Sequence, residues 1–463
     1  ENKVIRSNNF SYNDKIDINW WDDTLFIDPK GIVGDIEINI EFLYEINKVN
    51  KKCIIHNYPL STHNKLTTHI SKYTYPNDGK TLYGDIHYHT NLTEDMVEFG
   101  APLKATLAAA EALGLDFFCN TDHSYDLDDV PGSWTETDST LEKWTKSRLE
   151  INKLNNEHNG KSFIIPSEEL SLHNQDGRNV HALILNNSKF LPGKGDGAEE
   201  AFNFDADYNT KTVHDNLEVN SLCIAAHPFS SVPIVQWLFV KRGKWEFKDI
   251  LEENLAGLQI VNGDLGNSFK IGLNKWIKLL LNGKRKFIYA GNDAHGNFNI
   301  YRQIKTPMLS LYEKKEQLFG VFRTGVFTKD KKKDINSVIY SMRNGNCFVT
   351  NGPFINMTLH HKDSIYDMGS INSCDNGNIK LSIISNPEFG MIKTIKLIKG
   401  VVGSQKEVDY FTIINPGKYE LIQLIEINCV NKCYFRCEVE LESKIEMKRL
   451  ALSNPIWLSP IIN

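Results

Sequence analysis

Five short apolar runs in this chain each end abruptly in histidine or carboxylate residues. The first, at 83–90, carries His87 and His89 two positions apart. It predicts a short strand, and because strand side chains alternate between faces, both imidazoles project to the same side. Two converging imidazoles make half of a metal site, whereas an isolated pair is also compatible with a solvated strand face. The other four runs, at 117–123, 163–169, 223–228 and 288–295, end in His123, Glu169, His227, Asp293 and His295.

The spacing of these runs predicts a closed sheet. Seven strand candidates, most of them separated by helices, favour a parallel α/β barrel over an open sandwich. They lie at 83–88, 116–121, 162–166, 180–185, 222–226, 257–262 and 286–291. In such a barrel the carboxyl ends of the strands open onto one face, so residues placed there converge however far apart they are in sequence.

Three helices are predicted between the strands, at 101–113, 139–157 and 268–282. Pro102 near the first helical position and Gly114 after the last mark the bounds of the first helix. Ser139 and Glu142 have the spacing of a capping box at the start of the second.

The length of 463 residues predicts two or three domains, since single cores stop growing at roughly 250–300 residues. Residues 1–80 predict a small β-rich module, with alternating stretches at 15–20 and 35–42. The barrel is predicted for residues 81–310, and a C-terminal β-sandwich is predicted for residues 311–463. Its strands are expected at 379–385, 393–399, 420–429 and 434–441, the last two as a hairpin around Asn431 and Lys432.

The composition argues against several classes of function. The net charge is −6, and no basic run is longer than Lys331 to Lys333, so we expect no nucleic-acid partner. No apolar run is long enough to span a bilayer, and 41% hydrophobic with 24% charged residues is typical of a soluble globular protein. The chain begins at Glu1 without a leader, which leaves a cytoplasmic protein and an exported one with its signal removed as expectations. The oligomeric state is left open.

The candidate ligands are a mixed set of nitrogen and oxygen donors. Six of the chain's 14 histidines fall in the barrel segment near the strand ends: His87, His89, His123, His181, His227 and His295. With Glu169 and Asp293 they suit zinc, manganese or iron, and are too rich in imidazole for magnesium or calcium. Eight ligands exceed what one ion needs, so two or three divalent metal ions are predicted. Taken singly, His181 is also compatible with a core histidine and Asp293 with a helix N-cap.

These motifs resemble, in order and approximate spacing, those of the polymerase-and-histidinol-phosphatase (PHP) superfamily of metal-dependent phosphoesterases. The resemblance covers roughly 81–310. The stretches at 348–353 and 453–456 are similar to the downstream region of one branch, which also contains a carbamate-ester (carbaryl) hydrolase. The motifs that carry the resemblance are Asp85-x-His87-x-His89-Thr90, Thr121-Asp122-His123, Glu169, His227-Pro228 and Asn292-Asp293-Ala294-His295.

The resemblance implies a distorted seven-stranded (β/α) barrel with a trinuclear metal centre. His87, His89, Glu169 and Asp293 would hold one metal, and Glu169, His181 and His227 a second. His123 and His295 would hold the third, completed by Glu94 or Asp95, of which Glu94 fits the spacing better. Because successive side chains of a strand point to opposite faces, only one of Glu168 and Glu169 is expected to face inward.

Three further residues are candidates for catalytic roles. Asp85 and Asp122 are expected to orient ligand imidazoles, and Arg178 to bind a phosphate bidentately. Clustered cations lower the pKa of a bound water and clamp the oxygens of a displacement at phosphorus. The main hypothesis is therefore a hydrolase of small phosphomonoesters or phosphodiesters. One alternative keeps the site and acts on carboxylic or carbamate esters; another is a non-catalytic barrel stabilised by its metals.

Overall fold

The structure is a computed structural model. It describes residues 9–11, 25–29, 31–54, 66–93, 100–133, 136–158, 161–195, 204–299, 301–305, 310–314, 316–329, 332–443 and 447–461. The chain divides into two compact units, Glu1–Lys72 and Tyr73–Asn463.

Four strands are described in the first unit, and they form two antiparallel pairs. Strands β1 (Gly34–Ile38) and β4 (Leu66–Ile70) make one pair, and β2 (Glu41–Ile46) and β3 (Val49–Ile54) make the other. Burial alternates along β1, as the period of two predicted for 35–42 requires. That alternating stretch is divided between β1 and β2, and the strand predicted at 15–20 lies outside the described residues.

The second unit holds the remaining elements. Its helices are α1 (Leu103–Ala112), α2 (Ser124–Leu127), α3 (Glu142–Glu157), α4 (Ile234–Phe239), α5 (Phe247–Ile250), α6 (Asn267–Leu281) and α7 (Ile335–Arg343), with a 3₁₀ turn at Thr212–Asn216. Its strands are β5 (Thr81–His89), β6 (Phe117–Asn120), β7 (Phe163–His173), β8 (Asn179–Leu185), β9 (Leu222–Ala225), β10 (Gly257–Asn262), β11 (Phe287–Gly291), β12 (Ala294–His295), β13 (Tyr301–Lys305), β14 (Ser310–Lys314), β15 (Arg323–Phe327), β16 (Cys347–Thr350), β17 (Phe354–His361), β18 (Ser364–Tyr366), β19 (Ile371–Ser373), β20 (Asn376–Ile384), β21 (Ile392–Val401), β22 (Val408–Ile414), β23 (Glu420–Asn428), β24 (Cys433–Leu441), β25 (Leu450–Ser453) and β26 (Ile456–Ser459).

One large mixed sheet dominates this unit, so the fold is mixed α/β. Within the described residues it contains 16 strands, with the order β11-β10-β9-β8-β7-β6-β5-β15-β16-β25-β24-β21-β22 along its main path. Strands β12, β19 and β26 pair at its side. Strands β13 and β14 form a separate antiparallel pair.

All seven strands predicted for 81–310 are present, as β5 to β11. Strands β5, β6 and β7 run parallel, as do β9, β10 and β11. The expectation of a parallel arrangement is wrong for β8, which is antiparallel to both of its neighbours. The reason is that β7 extends to His173 and only residues 174–178 separate it from β8. So short a connection makes a hairpin, and hairpins join antiparallel strands.

The first and last of these seven strands lie side by side. The backbone N–H of Asp293, just after β11, donates to the carbonyl of His87 on β5 at 2.9 Å. Gly291 allows this approach, since a Cβ at that position would lie 2.7 Å from the Cβ of His87. The end of β11 is thereby brought next to the two histidines of β5.

The predicted helices are present, with one difference in capping. Helix α1 follows Pro102, buries Leu103, Leu107 and Ala110, and is followed by Gly114, whose φ is +69°. At the start of α3, the expected capping box of Ser139 and Glu142 is replaced by Asp138. The helix begins at Glu142, and the carboxylate of Asp138 accepts the backbone N–H of that first residue at 2.9 Å.

The C-terminal region packs two sheets face to face, in agreement with the predicted β-sandwich. One sheet has the order β18-β17-β20-β23, and the other is the β25-β24-β21-β22 end of the large sheet. Met357 and Leu381 from the first share a core with Leu397 and Val439 from the second. The hairpin predicted for β23 and β24 is wrong. β23 pairs with β20 and β24 with β21, so residues 429–432 cross from one layer to the other.

The large sheet is continuous from the seven strands to the sandwich. β5 pairs with β15, β15 with β16, and β16 with β25. The side chain of Asn454, just after β25, reaches back to β11. Its Oδ1 accepts the backbone N–H of Ile288 at 2.9 Å, and its Nδ2 donates to the carbonyl of Cys347 at 3.0 Å.

None of the described helices has the length and apolar character that crossing a membrane would need.

Candidate metal centre

Glu169 is the centre of the candidate site. Its side chain is 1% exposed, and both carboxylate oxygens are surrounded by imidazole nitrogens. Oε2 lies 3.2 Å from His87 Nε2, 3.3 Å from His89 Nε2 and 3.2 Å from His123 Nδ1, and Oε1 lies 2.8 Å from His181 Nδ1 and 2.9 Å from His227 Nε2. Five histidines from four places in the fold, with His87 and His89 both on β5, therefore meet at one carboxylate.

The parallel strands β5, β6 and β7 deliver the first members of the cluster. His87 and His89 share a face of β5, and their Nε2 atoms are 3.1 Å apart. His123 follows β6 and forms an isolated parallel bridge with Glu169 on β7. The N–H of Glu169 donates to the carbonyl of Asp122 at 3.0 Å, which fixes this register.

His181 comes from the antiparallel strand β8. It is paired with Ser171, two residues beyond Glu169, so His181 and Glu169 lie diagonally on the same face of the β7–β8 pair. Because β8 runs antiparallel to both of its neighbours, its beginning lies beside the ends of β7 and β9. The strand reversal that the sequence did not predict therefore still brings His181 to the cluster.

The segment after β11 delivers the last members. Asp293 Oδ1 lies 3.2 Å from Nε2 of both His87 and His89. His295, on β12, pairs in register with His89, and their rings stack with centroids 4.1 Å apart and an angle of 3° between planes.

Two cluster residues have strained backbones. The φ angles are +28° for His227 and +53° for Asp293, in the region that L-residues rarely adopt. His227 also precedes Pro228, which further restricts its backbone. Such residues cost about 1–3 kcal/mol each and cluster at functional sites.

The cluster could hold metal ions. Three sets of side chains have ligand atoms within 4.8 Å of one another. The sets are His87, His89, Glu169 and Asp293; His123, Glu169 and His181; and His89, His123 and His295. The donors are the nitrogens and oxygens that transition metals prefer. In addition, His123 Nδ1 is buried and forms no hydrogen bond within the described residues although Glu169 Oε2 lies 3.2 Å away, as expected of an atom that ligates an ion.

The charges within the cluster favour a bound cation. Burial raises the pKa of Glu169 and of Asp293, but the neighbouring imidazoles outweigh it and hold both pKa values well below their usual range. Burial lowers the pKa of His89, but its carboxylate partners raise it well above the ordinary value. Burial and the nearby His89 lower the pKa of His295 to about 3. The buried Glu169 and the half-buried Asp293 are thus both ionised, an arrangement that is costly unless positive charge offsets it.

Surrounding side chains orient the ligands. Gln259, on β10, places its Oε1 2.9 Å from His87 Nδ1 and also accepts the backbone N–H of His227 at 3.3 Å. His89 Nδ1 lies 3.3 Å from Thr93 Oγ1, which donates to Asp122 at 3.2 Å. Such contacts fix the ring orientation of a ligand histidine.

The structure places the other predicted residues as follows. Asp122 reaches the cluster through Thr93, whereas Asp85 accepts backbone N–H groups of His87, Asn292 and Gly320 and thereby ties β5 to the segment after β11. Glu94 and Asp95 lie outside the described residues.

Strand alternation separates the two neighbouring glutamates as expected. Glu169 faces the histidines, and the carboxylate of Glu168 instead accepts the hydroxyl of Ser124 at 3.3 Å. Burial raises the pKa of Glu168 to about 7.

The structure does not bring Arg178 to the cluster but brings Arg242 there. The Arg178 guanidinium lies over the Trp237 ring, 4.2 Å from its centroid, and donates to the Trp237 carbonyl. Arg242 Nη2 lies 3.1 Å from His181 Nδ1, and its Nη1 contacts Nε2 of the same ring. Backbone bonds on either side of Arg242, from Asn179 N to Lys241 O and from Gly243 N to Asn179 O, hold it against β8.

Sequence reasoning missed Arg242 and Gln259. Gln259 carried a signal, because it is a polar residue inside the apolar strand 257–262 and is only 1% exposed. Arg242 carried none that distinguishes it from Lys241 or Lys244, since its position depends on the pairing with β8.

No protein-family model matches this chain. No curated protein is similar enough in sequence to count as a relative.

Proposed function

We propose that this protein is a metal-dependent hydrolase of the PHP type that acts on phosphate esters. The observation that carries the proposal is Glu169, whose carboxylate is shared by two of the three ligand sets and surrounded by five histidines. Adjacent ligand sets with a shared carboxylate suit a multinuclear centre, a common arrangement in phosphatases.

The strand arrangement supports a seven-stranded PHP-type barrel. Strands β5 to β11 follow one another in the sheet, and the segment after β11 is bonded to β5. The residues of the cluster lie at the edge of the sheet where β5, β6, β9 and β11 finish. This is the edge where α/β barrels carry their active sites.

The ligand sets set the expected metal content. Three sets predict up to three ions per chain, with manganese, zinc or iron suited to their nitrogen and oxygen donors. When bound, such ions lower the pKa of a coordinated water towards ~7 and neutralise the oxygens of the ester.

The residues of the chain supply the remaining functions. Gln259 and the Asp122–Thr93 pair orient His87 and His89. Arg242 adds a guanidinium beside His181, where it can bind an anionic oxygen with two N–H groups. A permanent positive charge next to the ligand cluster favours a phosphate ester over a neutral carboxylic or carbamate ester.

Hydrolysis assays test the proposal. The protein is treated with a chelator, reloaded with Mn, Zn or Fe, and offered p-nitrophenyl phosphate, bis(p-nitrophenyl) phosphate and p-nitrophenyl acetate. We expect metal-dependent release of nitrophenol from a phosphate substrate. Hydrolysis of the acetate alone would favour the carboxylic ester reaction. Retained metal that stabilises the fold without turnover of any substrate would favour the non-catalytic alternative.

A His89→Ala variant provides the matched test of the site. His89 belongs to two ligand sets, so its loss should lower bound metal, measured by elemental analysis, and reduce kcat/KM at least ~10²-fold. The control is His69→Ala, because His69 is an exposed histidine bonded to Asp35 in the first unit. Full activity of His89→Ala would contradict the proposed site.

A further inference from the structure

A cavity of about 230 Å³ lies directly beside the metal cluster, and the function proposed above assigns it no ligand. His227 forms one wall, so the cavity begins at a ligand of the candidate centre. Its volume corresponds to roughly seven waters, taking ~30 Å³ per water. A substrate held at the cluster therefore has room to place a small group of about that many non-hydrogen atoms in the cavity.

The lining of the cavity indicates the chemistry of that group. Its residues include the hydroxyl-bearing Ser230, Ser231 and Ser268 and the carboxylate-bearing Asp264. The three hydroxyls make no hydrogen bonds within the described part of the chain. One oxygen of Asp264, Oδ1, accepts the backbone N–H of Gly266 at 2.7 Å, and the other remains for a ligand. These groups suit a ligand with several hydroxyls, each able to donate and to accept.

Two further features narrow the class. Phe229 and Phe269 also line the cavity, and they offer apolar surface to the C–H groups of a polyol or sugar. Among the lining residues that the structure describes, no lysine or arginine is present, so nothing there would neutralise a second anionic group. Asp264 would repel one.

Part of the lining is already committed to the metal cluster. Asn262 Nδ2 donates to Asp293 Oδ2 at 3.0 Å, and Gln317 Nε2 approaches the same oxygen at 3.3 Å. Both residues line the cavity, so its wall and the ligand Asp293 are directly linked. A group bound in the cavity is therefore held next to the reacting centre.

We propose that this cavity binds the alcohol part of the substrate and that the substrate is the phosphate ester of a small, uncharged polyhydroxylated alcohol, such as a polyol or sugar. The proposal rests on the proposed function, because it places the ester at the metal cluster. Asp264 is the residue that determines specificity, and Ser268 assists it.

The test compares substrates with and without hydroxyls. The metal-loaded protein is assayed with phenyl phosphate, glycerol phosphate, a pentose phosphate and phosphoethanolamine. A site built to hydrogen-bond hydroxyls rejects analogues that lack them, so kcat/KM should be at least ~10²-fold higher for a polyol or sugar ester than for phenyl phosphate. Equal values, or a preference for the amine-bearing phosphoethanolamine, would overturn the proposal.

Variants at Asp264 test whether the preference for polyol or sugar esters over phenyl phosphate arises in the cavity. Asp264→Ala and Asp264→Asn should each lower the polyol-to-phenyl ratio about 10-fold or more and leave hydrolysis of phenyl phosphate within about threefold. The asparagine retains an oxygen for the Gly266 N–H, so it keeps the loop intact. The control is Asp409→Asn, an exposed carboxylate on β22 paired with Lys396. An unchanged ratio in both Asp264 variants would overturn the proposal.

The outcomes separate this inference from the proposed function. Hydrolysis of phenyl phosphate without a polyol preference overturns the cavity proposal and leaves the hydrolase standing. If no ester is hydrolysed, the proposed function fails, and calorimetric titration with glycerol phosphate decides about the cavity. Binding that Asp264→Ala weakens about 10-fold would support it, and no binding at millimolar concentration would overturn it.

Discussion

His181 Nδ1 lies 2.8 Å from Glu169 Oε1, although the two residues come from strands that run in opposite directions. The contact forms because β8 pairs with β7 so that His181 lies opposite Ser171, diagonally across from Glu169. Which residues of a strand reach the cluster thus depends on which end of that strand lies at the edge of the sheet where β5, β6 and β9 finish. A mixed sheet can therefore assemble the ligand set that a parallel barrel would have provided.

Replacing Glu169 should remove more metal than replacing His295. Glu169 belongs to two of the three ligand sets, whereas His295 belongs to one. We expect Glu169→Gln, which preserves the size of the side chain, to lose metal from both of its sets, and His295→Ala to lose about one ion at most. Elemental analysis of the two purified variants beside the wild type measures this. Equal metal content in the two variants would argue against a shared carboxylate.

Arg242 should contribute to turnover of phosphate esters without affecting metal content. We expect Arg242→Ala to lower kcat/KM for phosphate esters by about 10²-fold, because a bidentate charge-assisted contact to the anion is lost. Arg242→Lys should restore only part of this, since an ammonium group lacks the planar fork. Arg178→Ala is the matched control, because Arg178 lies over Trp237. Loss of bound metal in Arg242→Ala would instead indicate a structural role.

Asp128 should make the stability of the metal-free protein depend on pH. Burial raises the pKa of this carboxyl from 3.8 to about 6. Between these values the unfolded chain gives up the proton more readily than the folded one, so the contribution of Asp128 is fully present below pH ~4 and is lost as the pH rises through ~6. Asp128→Asn should remove this loss.

Urea unfolding of chelator-treated protein at several pH values checks this expectation. The free energy of unfolding of Asp128→Asn relative to wild type should increase between pH 4 and pH 6.5. The exposed Asp409→Asn should show no such trend. A constant difference between wild type and Asp128→Asn would contradict the raised pKa.

The thiols should react slowly in the folded protein. All eight cysteines are free, and all except the half-buried Cys53 are buried. Burial raises the pKa of Cys119, Cys223 and Cys347, which keeps these groups as unreactive thiols. Titration with a disulfide reagent should detect at most one rapid thiol in the native protein and eight in denaturant. Several rapid thiols in the native state would show that the core is more open than described.

The strands and many cluster residues could be predicted because their signals are local. Runs such as 117–123 show both the buried strand and the polar residue at its end, and the edge of a sheet then brings His123 to Glu169. Alternation likewise separates Glu168 from Glu169. These inferences need only the period of a strand and the position at which it ends.

The features that were missed depend on pairing between distant segments. The direction of β8 follows from the length of β7, which the apolar run at 163–166 does not reveal. β23 and β24 belong to different sheets because each packs into the core shared across the sandwich. Their short connection is nevertheless typical of a hairpin. Arg242 reaches His181 only through the bridge between its own backbone and Asn179. None of these relationships leaves a periodic trace in the sequence.

The bond between Asn454 and Ile288 also bears on the order of events during synthesis. β11 presents Asp293 to the two histidines of β5, and Asn454 anchors β11 from more than 150 positions downstream. While residue 454 is still inside the ribosome, the nascent chain already contains all eight predicted ligands but lacks this anchor. The proposed metal centre should therefore be completed only after that segment has emerged and docked against β11.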